Sequence, residues 1–456
     1  SNQLHTRFWM NRVASNTHIG RPLHVGTPSA PNSRAEGNIG PTFTHFLHSP
    51  AVPDDGEAVT VTVRAADPEG VSTMDLFYSV DEGPFTSIAM SATNGSYQAT
   101  IPGQSAAQIV QFYAEATDGS SAVATFPSRG PDSRAQYMVQ DGAASGTGIH
   151  NFRIVMQGSD ADFMHTPINV MSNGRMGATV IDREEEIYYD VGVRLKGSMN
   201  SRHLDSWLGF NVRFAGDQLY RGVHRSFAID RSSHPSGSES PTELMFDLAI
   251  SNSGGSPSRY NDLVHVIAPR DRHDGAAILQ MARYSDVFLS SQYEQGDDGF
   301  LYKYELIYQS MHDDVDGFKL PPASRLAQAP VGIGFGTDVE RYRWHFMTKN
   351  NRAQDNFDPI MAYNQHFGKS GTAFETGLDE LIDVDELLRG FAYTVISGAG
   401  DNVGSGSQHN GMYYVKPDGR VTFLPHDMDF QWSATRSIFP NNEVTKLTDT
   451  PANPGN

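Results

Sequence analysis

Between residues 41 and 140, apolar and polar residues alternate with a period of two, a pattern that buries one face only when the backbone is an extended strand. Val59, Val61, Val63 and Ala65 alternate with Thr60, Thr62 and Arg64. Val110, Phe112, Ala114 and Ala116 alternate with Gln111, Tyr113 and Glu115. Turn signals separate the runs: Asp67-Pro-Glu-Gly70, Asp81-Glu-Gly-Pro84, Asn94-Gly95 and Thr117-Asp-Gly119. Short alternating strands at this spacing predict an immunoglobulin-like β-sandwich over 41–140.

The chain is 456 residues long, enough for two to four domains at ~100–200 residues each. Residues 1–40 carry few periodic apolar positions, contain Gly26-Thr-Pro-Ser-Ala-Pro-Asn-Ser-Arg34, and read as a linker or the end of a preceding domain. The stretch 141–149, with Gly142-Ala-Ala-Ser-Gly-Thr-Gly148 inside it, predicts a flexible joint. Beyond it the pattern changes. Strands are expected at 151–156, 188–196 and 208–214, a helix at 241–253 ending on Gly254-Gly255, and further strands at 263–268 and 276–282. Residues 338–398 read as largely helical, with Leu378, Leu381, Ile382, Leu387, Leu388, Phe391 and Val395 at helical spacing. A hairpin follows, Met412–Val415 and Val421–Leu424 around the turn Lys416-Pro-Asp-Gly-Arg420. The expected whole is multidomain: a β-sandwich, then an α+β domain over 150–456.

Composition excludes several function classes. Asp and Glu number 53 against 34 Lys and Arg, a formal charge of −19 without a basic patch, which disfavours nucleic acid as a partner. No cysteine occurs, so disulfides, thiolate zinc sites and cysteine nucleophiles are excluded. Lysines are few: Lys196, Lys303, Lys319, Lys349, Lys369, Lys416 and Lys446. No run reaches the ~18–20 apolar residues of a membrane span, and the first residues lack a signal-peptide pattern. The start at Ser1 and the polar end Thr448–Asn456 read as those of a piece cut from a longer precursor.

The most informative chemistry lies in 396–430. Asp401 and Asn410 sit in a glycine-rich loop after a helix, and Asp427 and Asp429 follow a strand in Pro425-His-Asp-Met-Asp-Phe430. An antiparallel hairpin brings the start of its first strand beside the end of its second, so Asn410 and Asp427 are expected to converge. Three carboxylates and one amide suit a hard divalent cation, and in phosphoryl transfer such a set supplies metal ligands and a base. The bland alternative has Asp401 capping a turn, Asn410 satisfying backbone groups, and the two later aspartates facing water.

Val191-Gly-Val-Arg-Leu-Lys-Gly-Ser198, Gly209-Phe-Asn-Val-Arg-Phe214, the Asp401–Asn410 loop and the Pro-His-Asp-Met-Asp-Phe end, taken in order, resemble the spore coat protein H (CotH) kinase family over residues 150–435. The sandwich resembles the module that often precedes such domains, and Gly26–Arg34 resembles the tail of a lamin-tail-like domain. The resemblance implies an atypical protein-kinase-like fold that binds ATP with Mg²⁺ or Mn²⁺ and phosphorylates Ser or Thr of secreted or surface proteins. It implies Asp401 as the catalytic-loop aspartate, Asn410 and Asp427 as metal ligands, and Asp429 as a second acidic contact. It further implies Lys196, in Arg194-Leu-Lys196-Gly, as the phosphate-binding lysine, with Arg194 beside it and Glu243 holding it. An exposed strand-end lysine is the alternative for Lys196, and Lys303 is its rival for the role. The chain departs from the family in three places: His426 stands where an aromatic, typically Trp, precedes the metal aspartate; Phe-Asn-Val-Arg lacks a lysine pair; and the chain stops soon after Asp429.

Other motifs fail on spacing. His366-Phe-Gly-Lys-Ser370 echoes a phosphate loop, but Tyr363 stands where that loop needs glycine. Asp313-Asp-Val-Asp-Gly317 lacks the ligand spacing of an EF-hand. The scattered histidines form no i, i+4 pair for zinc. The reading from sequence is therefore an exported bacterial kinase of this family, and its rival from another class is a catalytically silent surface or matrix scaffold with the same fold.

Overall fold

The computed structural model describes residues 36–167, 169–170, 172–197, 208–230, 242–304, 312–313, 319–320, 336–397 and 410–428. They fall into two compact units, one built from 36–230 with 263–280 and the other from 242–262 with 281–428. Residues 1–35, and with them the lamin-tail resemblance, lie outside the described residues.

The first unit begins with nine strands: β1 Thr42–Ser49, β2 Val59–Ala66, β3 Val71–Val80, β4 Thr86–Ala89, β5 Ser91–Thr93, β6 Ser96–Ile101, β7 Ile109–Asp118, β8 Val123–Phe126 and β9 Gln136–Met138. They form two sheets, β1-β2-β6-β5 and β4-β3-β7-β8, with β9 also paired to β7. That order, with first, second and sixth strands in one sheet and third and seventh in the other, is the one found in immunoglobulin-type sandwiches. The period-two pattern is realised: Val59, Val61 and Val63 share one core with Val110, Phe112, Ala114 and Ala116. Asn94 and Gly95 both take positive φ, 53° and 74°, which closes the β5–β6 hairpin with the twist its strands require.

The chain continues through β10 Asn151–Val155, helix α1 Gly158–His165, β11 Met176–Asp182, β12 Glu186–Lys196, β13 Gly209–Arg213 and β14 Ser226–Asp230, and later through β15 Asn261–Ile267 and β16 Gly275–Ala282. These strands close a barrel in the order β10-β11-β12-β13-β14-β16-β15, with β10 and β15 parallel. Phe152, Val180, Val193, Phe210, Phe227 and Val266 belong to the core cluster that fills it. Closure removes the free edges that an open sheet would present.

Residues of alternate register on the same barrel strands turn outward. Val155, Ile181, Ile187 and Tyr189 join the core of the sandwich. His48 of β1 lies in this seam: its Nδ1 is 2.6 Å from the Tyr189 hydroxyl and its Nε2 is 3.0 Å from the Ala51 carbonyl oxygen. The segment 142–148 is consequently not a free tether. Ser145 N–H donates to Asn151 Oδ1, the Ala143 carbonyl lies 2.9 Å from His265 Nε2, and the fully buried Arg153 is paired with both Asp141 and Glu184. Glycine and serine composition reports the backbone's freedom; these tertiary partners remove it.

The second unit contains α2 Thr242–Ser253, α3 Asp286–Gln292, β17 Phe300–Tyr304, the short pair β18 His312–Asp313 and β19 Lys319–Leu320, α4 Val339–His345, β20 Phe346–Thr348, α5 Asp358–Phe367, α6 Thr372–Glu375, α7 Leu378–Leu381, α8 Val384–Ile396, β21 Gly411–Val415 and β22 Val421–Pro425. A four-stranded sheet, β20-β17-β21-β22, packs with α5 and α8 around Tyr302, Phe346, Ile360, Tyr363, Leu387, Tyr413 and Phe423. The largely helical reading of 338–398 meets five helices, broken by the non-α stretch 349–357 and by β20, whose three residues pair with β17 and show no strand periodicity of their own. Helix α8 starts where the Asp383 side chain accepts the Glu386 N–H. It approaches β22 closely at Gly390, where a Cβ would stand 2.9 Å from the Phe423 carbonyl oxygen. Across both units the protein is rich in β-structure, with several sheets and a few helices.

Candidate functional site

The hairpin expected from sequence forms with Gly411 opposite Pro425 and Val415 opposite Val421. Its turn is closed by Lys416 N–H on the Arg420 carbonyl oxygen and by Gly419 at φ 90°. Asn410 precedes the first strand and Asp427 follows the second, so both stand at the end of the hairpin away from the turn. Both have left-handed backbones, φ 58° and 62°, a conformation that Asn and Asp enter more readily than most residues. Asn410 is buried and Asp427 half-buried.

Helix α2 brings a second carboxylate to this place. One carboxylate oxygen of Glu243 lies within 4.8 Å of one of Asp427. Met428, next along the chain, packs on Phe246 and Ile250 of the same helix, with Tyr393 of α8 against the cluster. Glu243 and Asp247 are one turn apart on α2, and both reach the buried Arg259: its Nη2 donates to Glu243 Oε1 and, at 3.2 Å, to Asp247 Oδ2. Asn261 Nδ2 donates to the same Asp247 carboxylate. The other terminal nitrogen of Arg259, Nη1, is 3.4 Å from His426 Nδ1, and its guanidinium carbon lies 5.4 Å from the Tyr284 ring centroid. Tyr284 donates its hydroxyl to the Pro425 carbonyl oxygen at 2.5 Å. Burial pushes the Asp247 carboxyl up despite the guanidinium beside it. Burial alone would lower Arg259, but Asp247 and Glu243 hold it well above its ordinary value.

His426 occupies the position where an aromatic was expected, and it takes an aromatic's part. Its ring meets Tyr284 edge-on, 6.2 Å between centroids and 76° between planes. Lys196 pairs with Asp230 at the neighbouring end of β14 in the first unit. Arg194 donates from Nη1 to the Leu195 carbonyl oxygen. Lys303 lies mid-strand in β17, between Met347 and Met412 in register. Asp401 and Asp429 lie outside the described residues, as does most of the Asp313–Gly317 stretch. The phosphate-loop echo begins at buried His366 in α5 and runs into exposed Gly368–Ser370, with Lys369 Nζ 3.3 Å from His366 Nδ1.

Sequence reading missed Arg259, Asp247 and Tyr284. Glu243 and Asp247 at i, i+4 in a helix carried a signal. Arg259 carried none, since it stands in a polar loop among serines, glycines and one proline.

Beyond Arg259, a cleft of about 620 Å³ opens between α2, residues 255–261, the end of α3 and the turn of the hairpin. Lys416 lines it. That lysine is bound to Asp383 Oδ2 at 2.7 Å and Glu386 Oε2 at 2.5 Å, while Tyr293 donates its hydroxyl to Glu386. Burial pushes Asp383 up, but hydrogen bonds from Lys416 and from the Glu386 N–H outweigh it and leave the carboxyl below its usual range.

A carboxylate pair backed by a buried arginine, at the end of a hairpin that also presents an asparagine, defines an acidic, oxygen-rich centre of the kind that accepts a hard cation. Residues 278–454 match the family described as CotH kinase protein. No curated protein matches the chain. Among solved structures, the bromine derivative of BhCBM56 is 15% identical over 19% of this chain and 90% of its own, with a TM-score of 0.15. The cycloalternan-degrading enzyme from Trueperella pyogenes is 14% identical over 44% of this chain and 20% of its own, with a TM-score of 0.17. The cycloalternan-forming enzyme from Listeria monocytogenes, in complex with a pentasaccharide substrate, is 9% identical over 41% and 17%, also at 0.17. At such scores these likenesses carry no argument about function.

Proposed function

We propose that this chain is an atypical kinase that transfers the γ-phosphoryl group of ATP to Ser or Thr hydroxyls of secreted or surface proteins, in a kinase-like α+β arrangement. The observation that carries the proposal is the meeting of Glu243 with Asp427 at the end of the hairpin that bears Asn410, inside a unit most of which matches the CotH kinase family. The donor set fits Mg²⁺ or Mn²⁺: two carboxylates and an amide offer oxygen ligands only, and a cation there would offset the repulsion between the two acids. A bound divalent cation would neutralise charge on the transferring phosphates.

The residues of the chain do the rest. Asp427 and Asn410 hold the cation, with Glu243 and Asp429 as further acidic contacts. Asp401 accepts the proton of the substrate hydroxyl as its oxygen attacks phosphorus, and the bond to the ADP oxygen breaks. Lys196, with Arg194, is the candidate for the phosphates. Lys196 pairs with Asp230, and Glu243 pairs with Arg259.

The test is radiolabel transfer from ATP to the protein itself or to a Ser-rich acceptor, with nucleotide binding measured in parallel. Asp401→Asn should lower transfer by about a hundredfold or more and leave ATP binding intact. Asp427→Asn should remove the metal dependence of ATP binding. If the unaltered chain transfers nothing and neither substitution changes binding, the silent scaffold stands instead.

A further inference from the structure

We propose that Arg259 is the positioning residue of this centre: a buried guanidinium that sets Glu243 of α2 against Asp427 of the hairpin, so that the two carboxylates form one cation site. The inference rests on the kinase reading for the identity of the site and goes beyond it in naming what assembles it.

The two carboxylates come from segments about 180 residues apart, and like charges within 4.8 Å repel unless something holds them. Arg259 touches both segments. Toward α2 it donates to Glu243 and Asp247; toward the hairpin it meets His426, the residue before Asp427, and lies against Tyr284, whose hydroxyl fixes the Pro425 carbonyl. Asn261, two residues on, holds Asp247 from the other side. A planar fork of donors can serve the helix and the hairpin at once; a lysine ammonium in the same place is a point charge on a flexible stem. Arg259 is almost wholly buried, with its side chain 2% exposed, so its role is to hold these groups rather than to meet solvent or substrate. A buried ion cluster adds little to stability over a well-packed apolar one, which makes specific geometry the reason to build it.

The experiment is a calorimetric titration of Mn²⁺ into the full chain without nucleotide, with free Mn²⁺ counted independently by its paramagnetic resonance signal. The unaltered protein should bind Mn²⁺. Arg259→Lys, which keeps the charge and loses the fork, should weaken binding about tenfold, and Arg259→Met should weaken it further. Tyr284→Phe removes only the hydroxyl on Pro425 and should weaken binding a few-fold with the fold intact, so the proposal stays testable if Arg259→Met does not fold. Equal binding by the unaltered protein, Arg259→Lys and Tyr284→Phe overturns the positioning role while leaving the kinase reading in place. Tighter binding by Arg259→Met also overturns it, by showing the guanidinium to be a competitor of the cation. No Mn²⁺ binding by the unaltered protein removes the metal site itself, and both proposals with it.

Discussion

The two units bury different things. The first is held mostly by apolar alternation: a sandwich core that runs on into the outer face of the barrel, with a neutral histidine and a tyrosine hydrogen-bonded across the seam and one buried arginine, Arg153, paired with Asp141 and Glu184. The second has an aromatic core of its own and, beside it, two clusters of buried charge, Arg259 with Glu243 and Asp247, and Lys416 with Asp383 and Glu386. Apolar burial stabilises without choosing a chemistry, whereas buried charge is costly unless every partner is in place. Where a fold keeps such clusters, perturbed carboxyls and paired cations mark the place where chemistry is expected.

The largest expected effect tests the shared apolar core. Phe112→Ala should cost about 3–5 kcal/mol, since Phe112 is fully buried and contacts the rings of Phe46, His48, Tyr137 and Tyr189. Calorimetry should show sandwich and barrel melting in one transition at a lower temperature. A separate sandwich transition with the barrel unchanged would break the claim of a single core.

Next in size is the buried charge of the second unit. Lys416→Met should cost on the order of 3 kcal/mol, because it leaves Asp383 and Glu386 facing each other without their shared cation. Adding Glu386→Gln should recover part of the loss, as a double-mutant cycle would read. Additive losses would show that the cluster is not coupled.

Acid should sharpen the contrast within the first unit. Burial lowers the His48 pKa to about 4, so below about pH 6.5 the unfolded chain takes up a proton that the folded one refuses. The stability from neutral His48, on the order of 3 kcal/mol, is present above that pH and lost as pH falls toward 4. Asp274 runs the other way. Burial raises its carboxyl to about 6, so the folded chain keeps a proton between about pH 4 and 6 that the unfolded one has released, and this contribution falls as pH rises. Denaturant titrations across pH 4–7 should show the slope change in one direction for His48→Gln and in the opposite direction for Asp274→Asn. A common direction would refute one assignment.

The smallest expected effect is proteolysis at 142–148. With Ser145, Ala143 and Asp141 all engaged, cleavage there should be slow under native conditions. Rapid release of a stable piece beginning near residue 149 would show the two parts to be independent.

How much was legible in the sequence follows from how local each signal is. Strand periodicity in β2, β7 and β12, the helix at 241–253 with its two terminal glycines, and the hairpin at 411–425 are written in neighbouring residues, because side-chain direction and turn chemistry are set within a few bonds. β11, β14 and β20 were not foreseen: short or continuous apolar runs do not distinguish a strand from a buried helix until a partner strand supplies the hydrogen bonds. The convergence of Asn410 and Asp427 on one end of the hairpin followed from antiparallel register alone. Three things were decided only by the tertiary structure. A glycine-rich segment became a fastened one because Arg153, Asn151 and His265 reach it. Glu243 and Asp247 took Arg259 as their partner. His426 became an aromatic edge on Tyr284. Sequence fixes the donors and acceptors a chain carries and the faces on which they stand; which distant pair meets depends on how the buried faces close over one another, and that is a property of the whole packed chain.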